Sequence, residues 1–355
     1  MADHLSQTVR DLGQGDKGGA LRETWQGVFG EVRFQKRLCK LLLKSRFLKA
    51  KFKRCPIAAE IVAQWEGPED LFARIDSCHS SRANTFDLFR DIVPINGKGI
   101  LDLGCGEAGL SCKYAGSGAE WVVGCDRNYE GWPLENAKGY VRYKGHWGKV
   151  LLVQGDGARL PFKAHSFDLI ISNDVFDHII ELSEALQECY RVLKPGGQVV
   201  ITFIPWYHPS GFHLMDYICI PYANLLFNEK VLLDVLLDLA AENPRIADSI
   251  PGLKGNPPPT SFDEMGLVLS RVTVIKFRKI LQGTKFRVAY LELTGFDQKT
   301  KNPVLRAVLD SLTKIPLINE LFTSHIDCIL EKPTAPSSTL PSTPRGLRPG
   351  QRETS

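Results

Sequence analysis

Between Lys98 and Phe203, short continuous apolar runs alternate with stretches of helical spacing. The runs are GILDL (99–103), WVVGC (121–125), KVLLV (149–153), FDLIIS (167–172) and QVVITF (198–203). A strand with one wet face would alternate apolar and polar residues. These do not, so each reads as a parallel-type strand covered on both faces. Between the last two, Leu182, Leu186, Tyr190 and Leu193 share one helical face. Lys194-Pro195-Gly196-Gly197 then stops that helix, because proline lacks the N–H to continue it and glycine permits the turn. This rhythm predicts an α/β class with a parallel sheet wound on both faces.

The flanks differ from this core. Residues 1–20 are polar and glycine-rich and are expected to be disordered, and 21–95 to form an N-terminal helical region. Within it, Arg33 to Arg54 hold ten Lys/Arg and no acid, while the rest of the chain carries 34 basic against 40 acidic residues. The basic character is therefore local. Phe34, Leu38, Leu41, Leu42 and Leu48 recur at roughly helical spacing among those cations, which predicts a basic amphipathic helix over 33–54. Such a helix suits an anionic membrane or another acidic surface, and equally suits packing on a core with a solvated basic face. Residues 206–270 break the strand–helix rhythm with WYHPSGFHLMDY and VLLDVLLDLA and read as an inserted helical cap. Residues 271–331 are expected to resume the core sheet, with a helix around VTVIKFRKIL and strands in FRVAYLEL (286–293) and near HIDCIL (325–330). Residues 332–355, rich in Pro, Ser, Thr and Arg, are expected to be a disordered tail.

A chain that is 43% hydrophobic and 24% charged has ample material for a large core. No run of about 18 apolar residues suggests a spanning helix, and the N-terminus MADHLSQTVR lacks an apolar signal core. Nine scattered cysteines, with no C-x-x-C pair, support neither a zinc site nor a disulfide framework, so no metal is expected. The expected location is cytoplasmic, with the basic helix offering peripheral contact at a membrane surface.

The first run leads directly into Asp102-Leu-Gly104-Cys-Gly106-Glu-Ala-Gly109. Glycines let the chain turn sharply at the end of a strand and let a ligand approach the backbone. The following helix would aim its N-terminal N–H groups at that ligand. Taken alone, Gly104-x-Gly106-x-x-Gly109 followed by Asp126 also fits a nicotinamide-dinucleotide fingerprint, which leaves an NAD(P)-dependent oxidoreductase open at this step.

Residues 98–204 resemble the class I S-adenosylmethionine-dependent methyltransferases, in particular the small-molecule, methyltransferase type 11-like subgroup with an LDLGCG loop. Asp102 matches the acid at the end of that family's first strand, which orders the loop and the methionine amino group. Gly104, Cys105 and Gly106 fall in its glycine loop. Asp126, closing WVVGCD, matches the acid that binds both ribose hydroxyls. Asp156 and Gly157, in QGDG before Leu160-Pro161-Phe162, match the segment facing the adenine amino group. Asn173, in Ser172-Asn173-Asp174, matches the fourth-strand exit beside the transferred methyl. Lys194-Pro195-Gly196-Gly197 resembles the turn into the fifth strand. Ala108 departs from the family, where many members have glycine, and a methyl group there would crowd the loop. Asp174-Val-Phe-Asp177-His178 stands in place of the Asn-Pro-Pro-Tyr type sequence used on amide and base nitrogens.

The resemblance implies a doubly wound, mostly parallel seven-stranded sheet with an antiparallel last strand, N-terminal helices and a helical cap. It implies S-adenosyl-L-methionine as cofactor, bound by residues 96–205, and a small-molecule acceptor methylated at oxygen or carbon. The apolar cap and the basic helix suggest a lipid-like acceptor. Proton removal from such an acceptor calls for a positioned base, for which His213 and His178 are the candidates. His208 also falls in the cap segment, and Trp206, Tyr207 and Phe212 are candidates to line an acceptor pocket. A nucleic-acid substrate is disfavoured. A module that keeps cofactor binding and acts through a partner is the non-enzymatic alternative.

Overall fold

A computed structural model describes residues 32–44, 71–73, 75–76, 89, 91–127, 134–209, 211, 213–215, 217–295, 302–316 and 318–334. The expected disordered N-terminus, the second half of the basic helix, Phe212 and residues 335–355 of the tail lie outside the described residues.

The chain divides into two compact units. One, the sheet unit, comprises Gly67–Ile204, Val274–Gly295 and Ser324–Ser355, and the other, the cap unit, comprises Met1–Glu66, Pro205–Thr273 and Phe296–Thr323. The sheet is built from β1 (Gly99–Leu103), β2 (Trp121–Asp126), β3 (Val150–Gln154), β4 (Phe167–Asn173), β5 (Leu193–Phe203), β6 (Arg287–Gly295) and β7 (Thr323–Glu331). Their order is β3-β2-β1-β4-β5-β7-β6. The β1–β2, β1–β4, β2–β3 and β4–β5 pairs are parallel, and β5 pairs antiparallel with β7. The order reverses between β1 and β4. In open α/β sheets the crevice at that switch point, beyond the carboxyl ends of the strands, is where ligands bind.

Both faces of the strands are covered, as their unbroken apolar runs require. Ile100, Val122, Val150, Leu169, Val200 and Ile329 form one core with Tyr114 and Tyr140. Alternate residues Leu101, Cys125, Ile170, Val199 and Ile201 are buried as well. Each fully buried Val, Leu or Ile side chain contributes about 1.5–3 kcal/mol relative to exposure.

One element differs from its expected form. The helix Leu182–Val192 runs straight into β5, so Lys194-Pro195-Gly196-Gly197 is not a turn outside the strand but an irregularity within it. Leu193 pairs with Phe167 and Gln198 with Leu169, which leaves the residues between them looped out. Gly196 adopts φ +78°. The Lys332 ammonium bonds the carbonyls of Tyr190 (2.7 Å) and Leu193 (2.8 Å), holding the end of the helix.

The cap unit has its own core of Trp206, Tyr207, Leu214, Ile218, Phe227, Leu232, Leu236 and Phe262, among others. The run VLLDVLLDLA lies in the helix Glu229–Glu242, which Asn228 caps by accepting from the Val231 N–H at 2.8 Å. The first part of the basic segment forms the helix Val32–Lys44, whose Leu38, Cys39, Leu42 and Leu43 pack on this core. Its Lys36 and Lys40 both pair with Asp238, at 2.8 and 2.7 Å. Residues 302–316 and 318–323 fall in this unit and include the helix Pro303–Leu312, where the sequence pattern predicts continuation of the sheet. Of the cysteines, Cys39, Cys105, Cys112, Cys125, Cys189 and Cys328 are buried free thiols, and Cys219 is disulfide-bonded. No helix among the described residues is long and apolar enough to cross a membrane.

Candidate active site

The carboxyl ends of β1, β2, β3 and β4 gather the predicted cofactor residues within the sheet unit. β1 ends in Asp102 and Leu103, and the chain turns at Gly104 (φ +78°) and Gly106 (φ +49°). The Gly104 N–H donates to the Cys125 carbonyl at 2.7 Å, which ties the loop to the end of β2. A Cβ on Gly104 would lie 2.1 Å from Cγ2 of Val175, so no side chain fits there. At Gly106 a Cβ would meet nothing within 4 Å. The first glycine therefore serves packing. The second borders open space that a ligand can fill. Cys105 is buried, with its Sγ against Gly124.

Ala108 adopts φ 65° and ψ 18° and precedes the helix Gly109–Gly116. This is the left-handed conformation that glycine tolerates best, and alanine bears a cost of about 1–2 kcal/mol there. The methyl is fully buried. The departure from glycine at this position thus carries a backbone penalty.

Asp102 is 2% exposed. The Ser111 hydroxyl donates to its Oδ2 at 2.5 Å, joining the end of β1 to the first turn of the helix. Burial pushes its carboxyl up to about 7, assisted by the Asp126 charge and opposed by the hydroxyl and backbone N–H of Ser111. Asp126, half-buried at the end of β2, accepts the Gly106 N–H at 2.9 Å, so one carboxylate both fixes the loop and stands beside its open side. Its backbone carbonyl takes the Gly155 N–H at 2.9 Å, aligning the next loop.

Asp156 follows β3 and accepts the Ala158 N–H at 2.9 Å. Gly157 is buried against Ile179 and Leu103. The Leu160–Phe162 segment beyond is clamped by an ion pair on the helix Leu182–Val192. Glu188 accepts the Leu160 N–H at 2.8 Å, and Arg191 donates to the carbonyls of Phe162 (2.7 Å) and Leu160 (3.0 Å). Arg191 also bonds Glu188 itself at 2.7 Å.

Asn173, at the end of β4, has two side-chain partners within the sheet unit. Its amide NH2 donates to the Tyr114 hydroxyl at 2.9 Å, and its Oδ1 accepts from Thr202 at 3.3 Å. The side chain therefore links the glycine-loop helix to β5, and the strand exit that follows it stands beside the glycine loop. Asp174, next along, has φ 54° and donates its N–H to the Thr202 carbonyl at 2.7 Å. Ser111, Tyr114 and Thr202 were missed in the sequence, where nothing marks a hydroxyl in a helix or strand as a partner of a distant strand end.

His178 lies past β4 in the sheet unit, with its Nε2 3.9 Å from Asp177 Oδ2. His213 lies in the cap unit, half-buried and with φ 57°. Trp206 and Tyr207, expected to line a pocket, are 6% and 5% exposed within the cap core.

The residues fit a nucleoside carrying an amino-acid tail. Open space at Gly106 admits close approach, Asp126 offers a carboxylate beside it, and Asp102 offers a buried acid to a cation. Residues 101–201 match the family described as a methyltransferase domain. A sterol 24-C-methyltransferase of Pneumocystis carinii is 37% identical over 101 residues, which are 28% of this chain and 26% of that protein. A demethylmenaquinone methyltransferase of Streptomyces avermitilis is 39% identical over 114 residues, 31% of this chain and 43% of that protein. The chain thus spans under half the length of these relatives. A methyltransferase structure from Mesorhizobium loti aligns at 18% identity over 69% of this chain and 96% of its own, with a TM-score of 0.44. The oxidoreductase and non-catalytic alternatives find no support in these matches.

Proposed function

We infer that this chain, whose residues 101–201 are a methyltransferase domain with S-adenosylmethionine as its cofactor, transfers a methyl group to a small, lipid-like acceptor at oxygen or carbon. The observation that carries the reading is Asp126. Its carboxylate pins Gly106 at the edge of the space left by that glycine, where it is positioned to take the hydroxyls of a ribose.

When bound, the cofactor supplies a methyl on a sulfonium, a donor that needs no further activation. The chain's own work is to bind, align and exclude water. Asp102 would hold the amino-acid end and Asp126 the ribose. Asp156 with Gly157 would hold the base, and the main chain at Asn173 and Asp174 would border the methyl. A hydroxyl or carbon acceptor also has a proton to lose, and His213 and His178 are the candidates to accept it. A lipid-like acceptor is favoured by the apolar make-up of the cap and by the names of the relatives, a sterol and a demethylmenaquinone methyltransferase.

Membrane contact through the basic helix belongs to the same proposal. With its inner face on the cap core, Val32–Lys44 leaves Phe34, Arg37, Leu41 and Lys44 exposed, two apolar and two cationic side chains at roughly helical spacing. That mixture suits an anionic lipid surface. A cytoplasmic setting belongs to the same proposal: the six buried free thiols favour it, and the disulfide at Cys219 counts against it.

The test is transfer of labelled methyl from S-adenosylmethionine to lipid extracts and to polar acceptor libraries, with Asp126→Ala as control. Turnover on an apolar acceptor that Asp126→Ala abolishes is the expected result. Undiminished donor affinity in Asp126→Ala would defeat the assignment of the site. Vesicles containing anionic lipid should sediment the protein and neutral ones should not. Phe34→Asp with Leu41→Asp should release it.

A further inference from the structure

Asp102 is an unusual carboxylate to leave inside a sheet. It is 98% removed from solvent, and among the described residues the titratable groups that act with it are Asp126 and Cys125 from β2 and Tyr114 and Cys112 from the glycine-loop helix. None is a cation. Among the described residues, charge on Asp102 is favoured by Ser111, through a hydroxyl at 2.5 Å and a backbone N–H. Ser111 is itself fully buried in the first turn of that helix. A buried acid in such surroundings is divided between neutral and ionised forms near neutrality, and an arriving ammonium group would decide the balance.

We propose that Ser111 is a positioning residue for cofactor capture, its hydroxyl holding Asp102 as an oriented carboxylate so that the ammonium of the ligand completes the ionisation and drives out a proton. The proposal rests on reading this pocket as the S-adenosylmethionine site. The sign follows from the chemistry. Only the carboxylate pairs with an ammonium, so affinity is full above the carboxyl's own titration and falls as pH drops through it. The ligand's own amine, which must carry its proton to pair, sets the opposite limb at alkaline pH.

The experiment is calorimetric titration of the full chain with S-adenosylhomocysteine, in buffers of different ionisation enthalpy, at pH 7.5 and pH 6. For an acid titrating near 7, the dissociation constant should rise roughly fivefold to tenfold between those pH values, with close to one proton released per site at pH 6. Ser111→Ala removes a bond that favours the charged form. It should move the acid limb up by about one pH unit, weakening binding several-fold at pH 7 and less at the alkaline end. Ser111→Thr, which keeps the hydroxyl, should return the limb toward the parent. Asp102→Asn should bind weakly with no acid limb.

If Ser111→Ala fails to fold, the proton count of the parent protein still decides. Equal affinity at both pH values with no proton release would overturn the proposal, as would a Ser111→Ala limb that coincides with the parent's. Either result would leave the site assignment intact. Failure of S-adenosylhomocysteine to bind at any pH would instead overturn both.

Discussion

Gly104 and Gly106 stand two residues apart in one loop, yet alanine should damage them in different ways. Both have positive φ, +78° and +49°, so each substitution bears the left-handed penalty, about 1–2 kcal/mol. At Gly104 the new methyl would also lie 2.1 Å from Cγ2 and 2.6 Å from Cγ1 of Val175. Relieving such an overlap costs about 1–3 kcal/mol more, so Gly104→Ala should lose about 2–5 kcal/mol in all. Against a domain stability of about 5–15 kcal/mol, that is close to the limit of folding. At Gly106 no atom stands within 4 Å, and the loss should stay near the backbone term. The Gly106→Ala methyl would instead occupy the ligand's approach and weaken donor binding at least about tenfold, equivalent to about 1.4 kcal/mol. Adding Val175→Ala to Gly104→Ala removes both Cγ atoms and should recover about 1 kcal/mol relative to the sum of the single changes. Denaturant unfolding of all four variants, followed by donor titration of those that fold, provides the readout. Equal destabilisation at the two glycines, or full donor affinity in Gly106→Ala, would refute the division of labour.

Other outcomes follow from single contacts. Tyr114→Phe deletes the hydroxyl that accepts from Asn173 and should cost about 0.5–1.5 kcal/mol in denaturant unfolding, because a half-buried amide loses one of its partners. Arg191→Met frees the Leu160 and Phe162 carbonyls, and hydrogen exchange at 157–162 should quicken while the strands keep their protection. Asp168 offers a pH test: burial would raise its carboxyl, but the hydrogen bonds from Lys194 and the Gly99 N–H and the charges of Lys194 and Lys98 outweigh burial and hold it below the usual range. A depressed carboxyl contributes stability above its unfolded titration point and loses it as pH falls through the folded one. The parent should therefore lose more stability than Asp168→Asn between about pH 5 and pH 2 in acid titrations of unfolding, and parallel curves would contradict the pairing.

The strands were legible because each is an apolar run bounded by breakers, a pattern carried by local composition. GILDL coincides with Gly99–Leu103, and FDLIIS falls one residue short of Phe167–Asn173. The glycine loop and Asp126 were legible for a related reason, since a sharp turn after a buried strand needs particular residue types at fixed spacing. The course of Lys194–Gly197 was not, because proline and two glycines fit a strand irregularity as well as a turn, and only pairing with β4 selects between them. Nor was the membership of residues 302–316 and 318–323, whose apolar helix suits a sheet layer and a separate unit equally.

By itself the sequence determined the order of the strands, the glycine loop after β1 and the acids at the strand ends beside it. Those depend on residue type and on distance along the chain. The tertiary structure decided what each acid and amide does there. It joined Asn173 to Tyr114 and Thr202, and it set Ser111 against Asp102. Hydrogen bonding and burial depend on which atoms meet in space, and partners 9 to 59 residues apart leave no local trace of their meeting.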